Sequence, residues 1–261
     1  MPATIAAIVA KLGNAARRFD IDVLPSCEST NAVLLARAEA GAPSGTVVIA
    51  EEQTAGRGRR GRSWFSSPGD SLTFSLLWRF APGTAPAGLS LAAGVAVARA
   101  LQKVGAGDAA LKWPNDILKQ GRKLGGILVE LVPGAPHAAV IGIGINLQLP
   151  PGMPDDVRAA SAAIGAIDAV GAAADSNALY AALLGELLAT LESFGSAGFA
   201  ALRTEWLARH AFQDVPVSIA SDFGAPVVGI CRGVDVDGAL LLDVDGRIER
   251  ILSGEVSLRR A

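Results

Sequence analysis

Gly56-Arg57-Gly58-Arg59-Arg60-Gly61-Arg62 sets three glycines and four arginines into seven residues. Glycine reaches backbone conformations closed to other residues, and four like charges at this spacing repel one another until an anion arrives. The chemistry that suits such a loop is the holding of phosphate or carboxylate. Gly56-x-Gly58-x-x-Gly61 matches a dinucleotide fingerprint, and Gly56-x4-Gly61-Arg62-Ser63 is one residue from a P-loop, but both devices need a helix to start at the last glycine. Here Pro68-Gly69 interrupts, and Leu72, Phe74, Leu76 and Trp78 alternate with Thr73, Ser75, Leu77 and Arg79 in the period of a strand. Upstream, Thr46 to Ala50 is β-branched and apolar and reads as a buried strand. The predicted device is therefore strand, basic loop, strand, in which arginine side chains hold the anion. A solvated flexible loop and a nucleic-acid patch are the competing readings.

Other polar groups gather at the ends of apolar runs. Ser29-Thr30-Asn31 precedes the helical run 32–40, where such residues serve as N-caps or as ligands for a polar molecule. No Glu or Gln follows three positions after any of them, so the reciprocal capping box is missing. In Leu111-Lys112-Trp113-Pro114-Asn115-Asp116 the proline ends a strand, and the turn presents an ammonium, an amide and a carboxylate together. Lys123 opens the run Leu124-Gly125-Gly126-Ile127-Leu128-Val129-Glu130. Paired glycines in an apolar strand imply that something approaches its backbone closely, and a ligand seated beside Lys123 accounts for both features. Val140 to Asn146 repeats the pattern with Gly142 and Gly144 and ends in a side-chain amide.

The elements that must position these groups follow from periodicity. Helices are expected over 4–18, 88–104, through Leu179 to Leu191, and over 199–207, with a brief strand at 21–24 stopped by Pro25 and a Pro-rich connection at 148–156. After Gln213 the pattern changes to short strands, with turns at Asp222-Phe223-Gly224, Asp237-Gly238 and Asp245-Gly246, which predicts a small antiparallel barrel. Residues 1–212 and 213–261 are the expected domains. A chain of 261 residues with 51% hydrophobic and 18% charged residues forms a packed globule, and its net charge of −2 argues against gripping nucleic acid as a main role. Cys27 and Cys231 form no CxxC pair, which fits a reducing cytoplasm, and His137 and His210 have no clustered ligands. The apolar stretch from Leu89 to Ala98 is far short of the ~20 residues a membrane span needs.

Taken together, Glu28-Ser-Thr-Asn31, Gln53 to Arg62, Lys112-Trp-Pro-Asn-Asp116, Lys123 to Glu130, Gly142-Ile-Gly-Ile-Asn146 and Ser253 to Leu258 resemble the biotin protein ligases, in that family's order. The resemblance implies an α+β fold: a mixed β-sheet with helices packed on one side, as in class II synthetase-like catalytic domains, followed by an SH3-like barrel. It implies that biotin and ATP form biotinyl-5′-AMP, with Mg²⁺, and that biotin then passes to a lysine of the biotin carboxyl carrier protein of acetyl-CoA carboxylase. By the same resemblance, Ser29, Thr30, Asn31 and Gln53 bind the biotin rings. Arg57, Gly58, Arg59 and Lys123 hold the carboxylate and phosphate, with Lys123 and Arg59 as the catalytic residues. Arg60, Trp64 or Trp113, Lys112, Asn115, Asp116 and Asn146 serve the nucleotide, and Asp116 also the metal. Fewer than thirty residues precede Glu28, so a DNA-binding module and DNA binding are not expected. A cytoplasmic monomer or weak homodimer is. Glu28 stands where many members have Asp, and Gly125 where some have Ala. The rival readings are a lipoate or octanoyl ligase or transferase of similar fold, and a biotin-binding regulator without catalysis.

Overall fold

The computed structural model describes residues 3–107, 109–166, 175–221, 225–252 and 256–260. The turn expected at Asp222-Phe223-Gly224 and the first residues of the string Ser253 to Leu258 lie outside the described residues.

The chain begins with α1 (Ile5–Leu12), which stops where Gly13 takes a φ of 57° and a 3-10 turn replaces the expected continuation to residue 18. Then come β1 (Asp20–Cys27), α2 (Thr30–Glu39), β2 (Thr46–Gln53), β3 (Ser71–Arg79), α3 (Leu89–Lys103), β4 (Ala109–Lys112), β5 (Asp116–Lys119), β6 (Arg122–Val132) and β7 (Ala135–Asn146). The seven strands form one sheet in the order β1-β2-β3-β7-β6-β5-β4. Only β1 and β2 pair in parallel, so the sheet is mixed. Strand β1 runs through Pro25 because it is an edge strand, where a missing amide donor breaks no ladder: Leu24 pairs with Ala50 and Ser26 with Glu52 around it.

Alternation along these strands sorts the core into two layers. Val47, Ile49, Phe74, Leu76, Ile141 and Ile143 face the main core with α1, α3 and α5 (Ser176–Ala197). Val48, Leu77, Ala138 and Val140 face the other way and pack on Leu34 and Ala38 of α2. The long helices α3 and α5 thus cover one side of the sheet with α1, and α2 stands on the opposite side. By length and composition α5 could cross a membrane, but Leu183, Leu184, Leu187 and Leu191 are fully buried against the core, as in the interior helix of a globule.

After α4 (Asp155–Ala159), α5 and α6 (Arg203–Ala208), the strands β8 (Pro216–Ser221), β9 (Val227–Val234), β10 (Leu240–Val244), β11 (Arg247–Ile251) and β12 (Val256–Arg260) form a separate antiparallel sheet in the order β11-β10-β9-β8-β12. The α+β expectation therefore holds. Two attachments bind this sheet to the first. The segment 209–211 exchanges backbone hydrogen bonds of 2.8 Å with Leu111 on the outer edge of β4. The fully buried Trp113 donates its indole N–H to the carbonyl of Gly238, 3.1 Å away, in the β9–β10 turn. Trp113 is a peg between the sheets.

Candidate active site

The side of the sheet that carries α2 also carries a cleft of about 630 Å³. Ser29, Thr30, Asn31 and Gln53 line one end. Arg57, Gly58, Arg59, Arg60 and Trp64 come from the basic loop, and Lys112, Asn115, Asp116, Lys123 and Asn146 from the strands opposite. Residues scattered over more than a hundred positions converge because β7 and β6 sit at the middle of the sheet, with the β2–β3 loop crossing above them. Met153, Asp156, Val157, Ala160 and Ser161 close a further wall, and Leu258 reaches it from the C-terminal sheet. This wall was not foreseen, since 148–156 read only as a connection.

Small residues make the cleft possible. A methyl group on Gly142 would lie 2.2 Å from Oδ1 of Asn31, and one on Gly144 would lie 2.5 Å from the indole of Trp64. The close approach inferred from the glycines is real, but side chains of this chain make it: Asn31, Trp64 and, at Gly126, Lys123.

The polar end is buried and internally bonded. Ser29 occupies the N-cap position of α2 in an extended conformation, but its hydroxyl makes no capping bond. Gln53 caps the helix instead, since its Oε1 accepts from the Thr30 backbone N–H at 2.7 Å and lies 3.1 Å from Thr30 Oγ1. Asn31 Nδ2 donates to Glu130 Oε2 at 2.6 Å and to the Leu128 carbonyl at 3.3 Å. Ser75, with no exposed surface, lies 2.5 Å from Asn31 Oδ1 and 2.8 Å from Thr30 Oγ1. Ser75 and Glu130 had no assigned role in the sequence, where both are ordinary strand residues.

The other end is cationic. Six Lys and Arg side chains and two carboxylates line the cleft, in a protein of net charge −2. The basic loop is closed on itself, with Arg57 bridged to Ser63, Gly58 N–H donating to the Arg62 carbonyl at 2.7 Å, and Trp64 N–H donating to the Gly56 carbonyl at 2.9 Å. Of its glycines only Gly61 has a positive φ, of 66°, which it shares with Arg60 at 59°. Gly56 is required for a different reason, because a Cβ there would meet the Trp64 carbonyl at 2.6 Å. Burial lowers the pKa of Arg59, Asp116 opposes that shift, and Arg60 and Arg62 reinforce it. Arg59 nonetheless stays charged. Its Nη1 lies 3.4 Å from Asn115 Oδ1, while Asn115 Nδ2 donates to the Ile127 carbonyl at 2.9 Å, so the turn is pinned to β6.

Asp116 bridges the two lysines, with Oδ1 2.6 Å from Lys123 Nζ and Oδ2 3.3 Å from Lys112 Nζ. Burial alone would raise its pKa, but Lys123 and Lys112 together outweigh burial and the net shift is downward. Both carboxylate oxygens are thus engaged by ammonium groups. Among the described residues, no three His, Cys, Asp or Glu side chains gather where an ion could sit. Asp116 is the counter-ion that aims Lys123, and it is a carboxylate of the cleft that could also face the metal of a bound triphosphate. Asn146 lines the cleft at the end of β7. It is buried, and Nδ2 donates to the carbonyl of Ala162 at 3.0 Å and faces that of Lys123 at 3.5 Å. Its amide nitrogen holds the 160–162 wall to β6 from within the lining of the cleft.

A family model described as the biotin/lipoate A/B protein ligase family matches residues 23–146, and one described as the biotin protein ligase C-terminal domain matches residues 216–259. The bifunctional ligase/repressor BirA of Escherichia coli is 42% identical over 248 residues, which are 92% of this chain and 74% of that protein. The biotin--[acetyl-CoA-carboxylase] ligase of Mycobacterium tuberculosis is 40% identical over 242 residues, 90% of this chain and 88% of that one. Among solved structures, the biotin protein ligase from Aquifex aeolicus in complex with biotin and ATP superposes with a TM-score of 0.79 at 28% identity, covering 93% of this chain and 99% of that one.

Proposed function

This chain belongs to the biotin protein ligase family, and from that premise we propose that it is an ATP-dependent enzyme that attaches biotin to a lysine of the biotin carboxyl carrier protein of acetyl-CoA carboxylase. The observation that carries this reading is one cleft with a buried hydrogen-bonding end continuous with a cationic end. The first suits the uncharged ring system of biotin, and the second suits a carboxylate meeting a triphosphate. The relatives from M. tuberculosis and Paracoccus denitrificans, 40% and 36% identical, are named for the acetyl-CoA carboxylase acceptor, and the A. aeolicus structure holds biotin and ATP.

In the first half-reaction a biotin carboxylate oxygen forms a bond to the α-phosphorus while the bond to pyrophosphate breaks. Two anions must meet, so the barrier falls only if fixed positive charge cancels their repulsion. Lys123, aimed by Asp116, and Arg59 meet that need, Arg59 with two parallel donors that fit a phosphate or carboxylate edge. Arg57 and Arg60 extend the positive field toward the outer phosphates, and Lys112 and Asn115 support it from the facing turn. Trp64 and Asn146, which line the same cleft, serve the adenine of the nucleotide. Mg²⁺ enters as the counter-ion of the ATP substrate. In the second half-reaction the acceptor lysine amine attacks the biotinyl carbonyl carbon, AMP leaves, and the amine loses its proton. The reading does not extend to DNA binding.

The test is pyrophosphate release. Purified protein with biotin and ATP should release it, with biotinyl-5′-AMP as co-product, and should transfer biotin to a carrier domain. Release with lipoate or octanoate but not with biotin would move the assignment to the rival acyl ligases.

A further inference from the structure

The donors and acceptors of the polar end obey a proton count that fixes their direction. Asn31 Nδ2 faces the Glu130 carboxylate and the Leu128 carbonyl, and neither of these can donate. Exchanging the amide oxygen and nitrogen would set three acceptors against one another, so Oδ1 must face Ser75. The single Ser75 hydrogen then goes to Asn31 Oδ1 at 2.5 Å, and Ser75 Oγ is left as an acceptor toward Thr30 Oγ1 at 2.8 Å. The single Thr30 hydrogen goes to the nearer of its two partners, Ser75 Oγ at 2.8 Å, since otherwise two hydroxyl oxygens in that close contact would have no hydrogen between them. Every hydrogen in the row Thr30, Ser75, Asn31, Glu130 consequently points away from the cleft. Thr30 Oγ1 and Gln53 Oε1, 3.1 Å apart, are left as a pair of acceptors with no hydrogen between them.

We infer that Glu130 and Ser75, behind the cleft wall, are positioning residues that set this polarity, so that Thr30 Oγ1 and Gln53 Oε1 accept an N–H of the substrate's cyclic urea. The inference rests on the biotin ligase reading and adds two residues to it. The carboxylate acts at a distance through the row of hydrogen bonds, and Ser75 passes the direction from Asn31 to Thr30. A buried row of this kind is stable only when fully satisfied, and a ligand N–H completes it.

The experiment measures the dissociation constant of biotin, the single-turnover rate of adenylate formation at saturating biotin, and the KM for ATP, in wild type and in Glu130→Ala, Ser75→Ala and Glu130→Gln, with thermal melts as a check on folding. Losing one hydrogen bond of the row should weaken biotin binding roughly tenfold in each alanine variant, while the saturated rate and the KM for ATP stay within about twofold. Glu130→Gln keeps an acceptor toward Asn31 and should recover most of the affinity. A biotin analogue methylated at a ureido nitrogen should be discriminated against by wild type and less so by Ser75→Ala. Three outcomes overturn the inference: unchanged biotin affinity in both alanine variants, an equal loss of rate and affinity, or a Glu130→Gln as weak as Glu130→Ala. Absence of adenylate from wild type itself would instead overturn the ligase reading.

Discussion

The two ends of the cleft differ in how much of their work is done before a ligand arrives. At the polar end Thr30, Asn31, Ser75, Gln53 and Glu130 are tied into one row that leaves only Thr30 Oγ1 and Gln53 Oε1 to accept from a ligand, and Thr30, Asn31 and Ser75 are buried. At the cationic end Arg57, Arg60 and Arg62 project from a loop held mainly by its own backbone. One end is built to select by direction and shape, which needs rigidity. The other is built to attract and neutralise, which needs charge and tolerates motion. Substitutions should therefore separate into those that change what binds and those that change how fast bound groups react.

The largest effect is expected at the cationic end. Lys123→Ala should slow adenylate formation by ~10²- to 10³-fold, the scale seen when one fixed charge-stabilising donor is lost. Its ion pair with Asp116 is more than a third exposed on the lysine side, so stability should fall by only ~1 kcal/mol or less. A single-turnover rate equal to wild type, with biotin affinity intact, would remove Lys123 from the chemistry.

The support shared by both ends can be loosened separately. His210 packs on Trp206 with ring centroids 4.5 Å apart, where 209–211 joins β4, and burial pushes its pKa down to about 4 against the opposing pull of Gln213. The folded value lies below the unfolded 6.5, so the neutral ring favours folding. That advantage is complete above pH 6.5, declines as the pH falls, and is lost near pH 4, by about 3 kcal/mol in all. His210→Phe should flatten the acid limb of a stability curve over this window. An acid limb identical to that of wild type would locate the transition elsewhere.

Arg59→Gly should weaken retention of the adenylate by ten- to a hundredfold, the value of a charge-assisted contact of ~1.5 to 3 kcal/mol. Released into solution, the mixed anhydride acylates amines unaided, so bystander proteins such as serum albumin should become biotinylated. An active variant as selective as wild type would show that Arg59 does not retain the intermediate. Smallest of all is the response to salt. Going from 0.1 M to 1 M shortens the screening length from ~10 to ~3 Å. The KM for ATP should rise severalfold, and affinity for neutral biotinol, which meets only the polar end, should hardly move. A parallel loss of both would mean that the ends are not electrostatically distinct.

The cationic end was the legible one. Arginines and lysines beside glycines announce themselves in a sequence, and the alternation after Pro68 correctly gave a strand where a nucleotide-binding helix would have needed 3.6-residue spacing. The polar end was half legible. Ser29 to Asn31 and Gln53 stood out, but Ser75 fell on what looked like the solvent side of an alternating strand, and only the packing of α2 on that side buries it. Glu130 was hidden in the same way, because its partner is 99 residues away in sequence. Lys112 and Asp116 were expected together, yet that the carboxylate serves two lysines depends on the β5–β6 register, which no local pattern encodes.

The margins of the large sheet have a consequence for its neighbours in a concentrated solution. A bare strand edge invites any extended peptide to add to it. Strand β1 counters this with Pro25 and with Asp22 paired to Arg37, and β4 is already taken by residues 209–211. One edge of the small sheet is β11, whose sequence Arg-Ile-Glu-Arg-Ile carries both signs of charge along its rim. At these three margins, broken, already paired or charged, ribbon-like stacking of copies through the backbone finds no ready template.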